Sequence, residues 1–211
     1  MPVNLNNLNL IKKTTADFPE AKIMAVTKNR TIHDIQELLA YGINIFGENR
    51  VQEAKKKYSL IDKPLHHFEL HMIGPLQSNK VKEALSIFDV IQSVDRENLV
   101  QEISKYIKLP NINTKRFYIQ VNIGNESQKS GIAINNIKGF YNFTIEKGLE
   151  VEGLMCIPPL GLKPDGFFEK MILLKEEINP NLKLSMGMSN DYHAALSMKS
   201  NLIRVGSFLF D

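Results

Sequence analysis

Lys28 closes the run Lys22-Ile23-Met24-Ala25-Val26-Thr27-Lys28, an apolar stretch with an amine at its C-terminal end. If that stretch is the first strand of a barrel, the amine points into the mouth, where such folds keep their chemistry. A lysine in a partly apolar site has a lowered pKa and condenses with an aldehyde as a Schiff base. A solvated surface charge is the ordinary alternative for any one of the 26 Lys+Arg residues. Arg204 raises a related question, because a charge inside a strand needs a partner. A carboxylate would be the usual one, and a ligand nitrogen or phosphate the functional one.

Two small-residue loops could receive an anion. One is Ser185-Met186-Gly187-Met188-Ser189-Asn190-Asp191, where Ser189 offers a hydroxyl and Asn190-Asp191 suits a helix start. The other is Arg204-Val205-Gly206-Ser207, where Gly206 permits close backbone approach and the Gly206 and Ser207 amides suit an anion. Gly-Ser pairs also simply make turns, so each loop alone decides nothing. Together they fall on the seventh and eighth candidate strands, where barrels place phosphates. Asn49, His71 and Asn122 stand at further strand ends, each able to contact a ligand or to cap its own loop. The cluster His66-His67-Phe68-Glu69-Leu70-His71 resembles a ligand source. On a strand, His67, Glu69 and His71 would share one face and His66 would not, so no metal site is expected.

The elements that must position these residues alternate. Strand candidates are 22–28, 43–47, 67–73, 89–94, 116–123, 151–157, 182–187 and 202–206. Helical spacing fills 31–41, 50–58, 78–87, 96–107, 134–147, 165–177 and 190–199 between them. Thr31, Ser78 and Asp95 read as helix caps, and Gly42, Gly148 and Pro110 as stops. Such alternation implies βαβ units and a parallel sheet, and eight strands imply a closed (β/α)8 TIM barrel. A doubly wound open sheet is the structural alternative. The chain reads as α/β and as one domain over 1–211. A helical extension, about 4–15, precedes the first strand and is expected to cover surface near the last one.

Composition sets wide bounds. The chain has 211 residues and a net charge of 26 − 23 = +3, too mild to argue for nucleic acid. Lys55-Lys56-Lys57 reads as the solvated end of a helix. The one cysteine, Cys156, lies in an apolar run and reads as a small core residue. With no signal-like N-terminus and no membrane-length apolar run, the reading is a cytoplasmic protein.

In order along the chain, the motifs are Ala25-Val26-Thr27-Lys28, Phe46-Gly47-Glu48-Asn49, Val51-Gln52-Glu53, and His71 with Ile73-Gly74-Pro75-Leu76-Gln77-Ser78-Asn79-Lys80. Further on come Gln120-Val121-Asn122, Lys129-Ser130-Gly131-Ile132, Gly153-Leu154-Met155, Leu184-Ser185-Met186-Gly187-Met188-Ser189 and Arg204-Val205-Gly206. With these motifs the chain resembles the pyridoxal 5′-phosphate homeostasis protein family, single-domain relatives of fold-type III enzymes such as alanine racemase. The resemblance implies a barrel with pyridoxal 5′-phosphate in its mouth, Lys28 as the Schiff-base lysine, and Ser189, Gly206 and Ser207 around the phosphate. It also implies Arg204 facing the pyridine nitrogen, and Asn49 and Met188 near the ring. Arg50 stands where the family commonly has an aromatic residue.

A racemase needs acid/base groups on both faces of the substrate carbon, and eight strands leave no room for a domain carrying the second. The reading is therefore a cofactor carrier without catalytic residues of its own, monomeric, with pyridoxal-phosphate-dependent apoenzymes as recipients. A weak amino-acid racemase, a Schiff-base phosphosugar aldolase and a non-catalytic adaptor are the alternatives. Aldolases of that kind usually carry the lysine on a later strand.

Overall fold

Parallel pairing runs unbroken around eight strands. These are β1 (Lys22–Val26), β2 (Ile45–Glu48), β3 (Glu69–Met72), β4 (Val90–Val94), β5 (Arg116–Asn122), β7 (Val151–Cys156), β8 (Lys183–Ser185) and β9 (Leu202–Val205). Each pairs with the next, and β9 returns to pair with β1, so the sheet closes. A two-residue strand, β6 (Ile132–Ala133), lies outside the ring on β5. The computed structural model describes residues 2–210.

Helices α1 (Leu5–Ala16), α2 (Ile32–Ala40), α3 (Val51–Tyr58), α4 (Lys63–His66), α5 (Val81–Ile87), α6 (Glu97–Ser104), α7 (Ile137–Glu146), α8 (Asp165–Ile178) and α9 (Tyr192–Ser197) surround the sheet. Their apolar stripes explain their seating. In α6, Leu99, Val100 and Ile103 are buried at helical spacing. Thr31 caps α2 in a capping box with Asp34, as its sequence implies. The caps expected at Ser78 and Asp95 do not form. Ser78 opens a 3-10 turn without a side-chain cap, and Asp95 pairs with Arg96 at 2.6 Å. Gly42 and Gly148 stop α2 and α7 with φ of 79° and 87°. On α1, Leu8 and Ile11 are buried, and the Asn4 amide donates to the Leu209 carbonyl at 2.8 Å. The N-terminal helix thus covers surface beside the last turn.

Apolar packing divides into an outer shell between helices and sheet and two small clusters in the remaining core. Met24, Ile45 and Leu202 form one of these, and Val90, Tyr118 and Met155 the other. Gly153 allows the sheet to pack here. A Cβ on it would lie 2.3 Å from the Lys183 carbonyl oxygen and 2.5 Å from the Tyr118 ring. Gly153→Ala is expected to destabilise the fold by about 1–3 kcal/mol, read by urea denaturation. A wild-type midpoint would show that β7 and β8 can part at no cost.

The strand expected over 67–73 forms as β3 with shorter bounds and keeps His71 alone of the three histidines. His66 ends α4, His67 has φ 47° in the left-handed region, and β3 begins only at Glu69. Pro64 early in α4 and the cap at Asp62 turn this segment into a short helix instead. Among the described residues, no group of three His, Cys, Asp or Glu is placed to hold a metal ion. The Lys55–Lys57 run is also not uniformly solvated. Lys57 is buried, because Val51, Ala54 and Tyr58 form the inward stripe of α3 and Lys57 lies on it.

A cluster of ions gathers where the strands begin. Glu69 meets Arg116 at 3.1 Å, and Glu152 meets Arg116 at 3.3 Å and Lys183 at 2.8 Å. A hydrogen bond from His71, with the Arg116 charge, holds the Glu69 carboxyl down at about 2. A depressed carboxyl contributes stability above its unfolded pKa, and that contribution is lost as pH falls from about 4.5 toward 2. Acid titration of unfolding is expected to show this loss, and Glu69→Gln to flatten it in that window. An unchanged acid limb in Glu69→Gln would refute the assignment.

Candidate functional site

The mouth lies where the strands end, and two adjoining cavities fill it. One, about 800 Å³, is lined by Lys28, Met188, Ser189, Arg204, Gly206 and Ser207, among others. The second, about 400 Å³, shares Val26, Lys28, Met188 and Arg204 and extends to Asn49, Gln120 and Asn122. Both volumes suit a small-molecule site. Every candidate cofactor residue therefore reaches the same mouth.

Strand β1 ends at Val26, so Lys28 stands two residues beyond it, in a turn. Its side chain is exposed, and it has no hydrogen-bond or ion-pair partner among the described residues. With Val26 and Met188 it lines both cavities. The turn itself is firmly held. The Thr27 amide donates to the Gly47 carbonyl at 3.0 Å and the Arg30 amide to the Thr27 carbonyl at 3.0 Å. Asn29 follows with φ 60°, and its amide donates to Glu53 at 2.6 Å.

Beneath this turn lies a buried polar cluster that sequence reasoning missed. Glu48, at the end of β2, is fully buried and meets Lys57 at 2.5 Å. Thr27 donates its hydroxyl to Glu48 at 2.7 Å, and the same hydroxyl lies 2.8 Å from the Tyr58 hydroxyl. Lys57 also donates to the Thr27 carbonyl at 2.6 Å and to Glu53 at 2.9 Å. Burial pushes the Glu48 carboxyl up, against the pull of Lys57 and Thr27. The cluster fastens the residue that precedes Lys28. A lysine on the apolar stripe of α3, one turn after Glu53, was the available signal.

Arg204 is buried, and its partners are not carboxylates. One guanidinium nitrogen donates to the Ser185 carbonyl at 2.7 Å and the Ser185 hydroxyl at 2.9 Å, and the other to the Cys156 carbonyl at 2.7 Å. These bonds use three of the five N–H groups of a guanidinium, leaving two. Burial lowers the Arg204 pKa, yet an arginine remains a cation in a protein. Cys156 is buried beside it, and burial pushes the thiol up to about 12, the state of an inert core residue.

Ser189 and Ser207 meet across the mouth, their hydroxyls 3.3 Å apart. Gly187 has φ 94°, and a Cβ there would lie 2.4 Å from that of Ala195, so this turn requires glycine. Asp191 accepts the Met188 amide at 2.5 Å and caps the loop, which orients Met188 and Ser189. Asn49 lines the second cavity, and Gly74 packs against it so closely that a Cβ would lie 2.3 Å from the Asn49 carbonyl oxygen. Asn122 caps its own loop, donating to the Glu126 carbonyl at 2.8 Å and accepting the Glu126 amide at 3.0 Å. His71 does not reach the mouth. It is buried within the barrel and bonded to Glu69 at the opposite end.

An amine free to condense, two hydroxyls beside a glycine, and a buried cation with spare N–H groups form one donor set. It fits a molecule that carries an aldehyde, a phosphate and a basic ring nitrogen.

Comparison with known proteins agrees with this geometry. The family model described as alanine racemase, N-terminal domain, matches residues 5–211. The pyridoxal phosphate homeostasis protein of Aquifex aeolicus is 37% identical over 199 residues, covering 90% of this chain and 86% of the relative. That of Buchnera aphidicola is 33% identical and covers 98% of both chains. PipY of Synechococcus elongatus, solved without PLP, is 30% identical with a TM-score of 0.86 over 98% of this chain and 99% of its own. The same protein with PLP bound gives a TM-score of 0.82. Alanine racemase from Acinetobacter baumannii, 17% identical, shares the fold over 97% of this chain but only 59% of its own, with a TM-score of 0.76. By the extent and identity of these matches, the chain belongs to the pyridoxal phosphate homeostasis protein family.

Proposed function

We propose that this protein binds pyridoxal 5′-phosphate in the barrel mouth and serves vitamin B6 homeostasis as a reversible carrier. The observation that carries the reading is Arg204, a buried cation whose hydrogen bonds go only to neutral oxygens and leave two N–H groups unused, lining the same cavity as Lys28. A buried charge with no hydrogen-bonded counter-ion is costly even with the Asp191 carboxylate acting on it from a distance, and a ring nitrogen at the mouth would accept what Ser185 and Cys156 leave over. In this reading Lys28 holds the cofactor as a Schiff base, its amine replacing the aldehyde oxygen with release of water. Ser189, Gly206 and Ser207 receive the phosphate, and Asn49 and Met188 flank the ring.

When bound, the cofactor supplies an aldehyde carbon and a conjugated ring able to accept electrons. Arg204 donates to the ring nitrogen and does not protonate it, which keeps the ring a weak electron sink. Among the described residues neither tyrosine nor histidine lines the two cavities, which supports a holding role over racemisation. We further read the protein as a cytoplasmic monomer that passes the cofactor to apoenzymes. Among the described residues no helix is long and apolar enough to cross a membrane.

Borohydride reduction of cofactor-loaded protein, followed by peptide mass analysis, tests the reading. The expected product is a phosphopyridoxyl adduct on Lys28. Adducts confined to other lysines would overturn the site, and turnover of amino acids lost in Lys28→Ala would overturn the carrier role.

A further inference from the structure

Four strands contribute five polar side chains to a line that crosses the barrel, two of them from β3. Arg204 on β9 donates to the Ser185 hydroxyl on β8 at 2.9 Å, and Ser185 reaches Gln92 on β4 at 2.7 Å. The Gln92 carboxamide meets His71 Nδ1 on β3 at 2.8 Å, and His71 Nε2 meets Glu69 at 3.2 Å. Gln92 and Ser185 are fully buried, and His71 and Arg204 nearly so. The Met24 and Val90 apolar clusters are separate and contain none of these side chains.

The direction of every bond in this line follows from its ends. A guanidinium only donates, and a carboxylate only accepts. Ser185 therefore accepts from Arg204 and donates to the Gln92 oxygen, and Gln92 donates its N–H to His71 Nδ1. His71 then carries its proton on Nε2 and donates it to Glu69. A chain of dipoles aligned from cation to anion strengthens each of its members. It also gives Arg204 an oriented path to a negative charge that it does not touch.

We propose that Ser185, Gln92 and His71 are positioning residues that set the orientation of Arg204 toward the cofactor ring from the Glu69–Arg116 cluster at the far end of the barrel. The proposal rests on the reading that Arg204 faces the ring nitrogen. The line has one weak point. Protonating His71 places a hydrogen on Nδ1, facing the Gln92 N–H, so the carboxamide must turn and Ser185 loses its acceptor. The charges around His71 are Glu69 on its own strand, Arg116 on β5 and Glu152 on β7. Burial places this titration below the ordinary histidine value of 6.5, so the line keeps its direction at neutral pH.

Two measurements decide the matter. Nitrogen NMR of His71 in the cofactor-free protein is expected to show a proton on Nε2 and a bare Nδ1. A proton on Nδ1 at neutral pH would overturn the line whatever the protein binds. In cofactor-loaded protein, Ser185→Ala and Gln92→Leu are expected to weaken binding by about tenfold and to shift the visible absorption and its pH titration, and Ser185→Thr to restore both. Glu69→Gln, altered at the far end, is expected to shift the same titration while the Lys28 adduct still forms. Wild-type spectra in all variants that carry the adduct would overturn the proposal. Absence of the adduct in wild-type protein would overturn the cofactor reading instead, and leave the NMR result to judge the line.

Discussion

Lys28→Ala is expected to abolish covalent cofactor attachment while leaving the fold intact. The side chain is exposed and has no partner among the described residues, so its removal costs little stability. Noncovalent binding should survive in weakened form, because Ser189, Ser207 and Arg204 are untouched. The expected readings are a free-aldehyde absorption in place of an imine band, no adduct after borohydride, and an unchanged thermal midpoint. Lys28→Arg is expected to behave likewise, since a guanidinium holds its charge and cannot condense. A full imine band in Lys28→Ala would move the attachment to another lysine. A collapsed thermal midpoint would give Lys28 a structural role that its surroundings do not show.

The second large effect lies one layer below. Lys57→Met is expected to destabilise the protein by about 3–5 kcal/mol, because it leaves the buried Glu48 carboxyl without its cation. Glu48 Oε2 has no hydrogen-bond partner even with Lys57 present, so little remains to compensate. The Thr27 carbonyl loses its donor at the same time, which loosens the turn that carries Lys28. Glu48→Leu combined with Lys57→Met is expected to recover much of the loss, because a buried ion pair has a small net value against an apolar replacement. Urea denaturation of the two single variants and the double variant measures this. A Lys57→Met protein within about 1 kcal/mol of wild type would mean that water reaches Glu48. Cofactor affinity should follow the turn and not the overall stability. The double variant, though stable, is expected to bind less tightly than wild type.

The barrel was legible because each strand is a short apolar run between helix-length segments. Local chemistry was enough to mark β1, β9 and the loops after β8 and β9. Lys28, Ser189, Gly206 and Ser207 stand at strand ends, where backbone direction alone sends them to the mouth. The buried polar residues were harder to see. Lys57 sits in a basic triplet, and only the seating of α3 on the sheet distinguishes it from Lys55 and Lys56. Its acid, Glu48, belongs to a different element.

Between His71 and Arg204 the line joins positions 19 to 93 residues apart, so no local window contains it. A trace was nevertheless present. Gln92 and Ser185 are polar residues inside apolar runs, at the alternation that points into the barrel. The late start of β3, at Glu69, had the opposite cause. Three histidines close together look like a unit, but Pro64 and the cap at Asp62 wind the first of them into a helix.

Closure of the sheet also governs how the chain can be made. Lys22 on β1 pairs with Leu202 on β9, a separation of 202 − 22 = 180 residues. Until residues 202–205 leave the ribosome, β1 keeps one edge unpaired and the cylinder stays an open, curling ribbon. Such an edge invites strands from other chains, and contacts of this span slow the search for the native state. Arg204 arrives on that same final strand. If Arg204 holds the ligand as proposed, the nascent protein gains its complete site only when the last seam of the cylinder is sewn, and ligand capture is expected to mark the completion of folding.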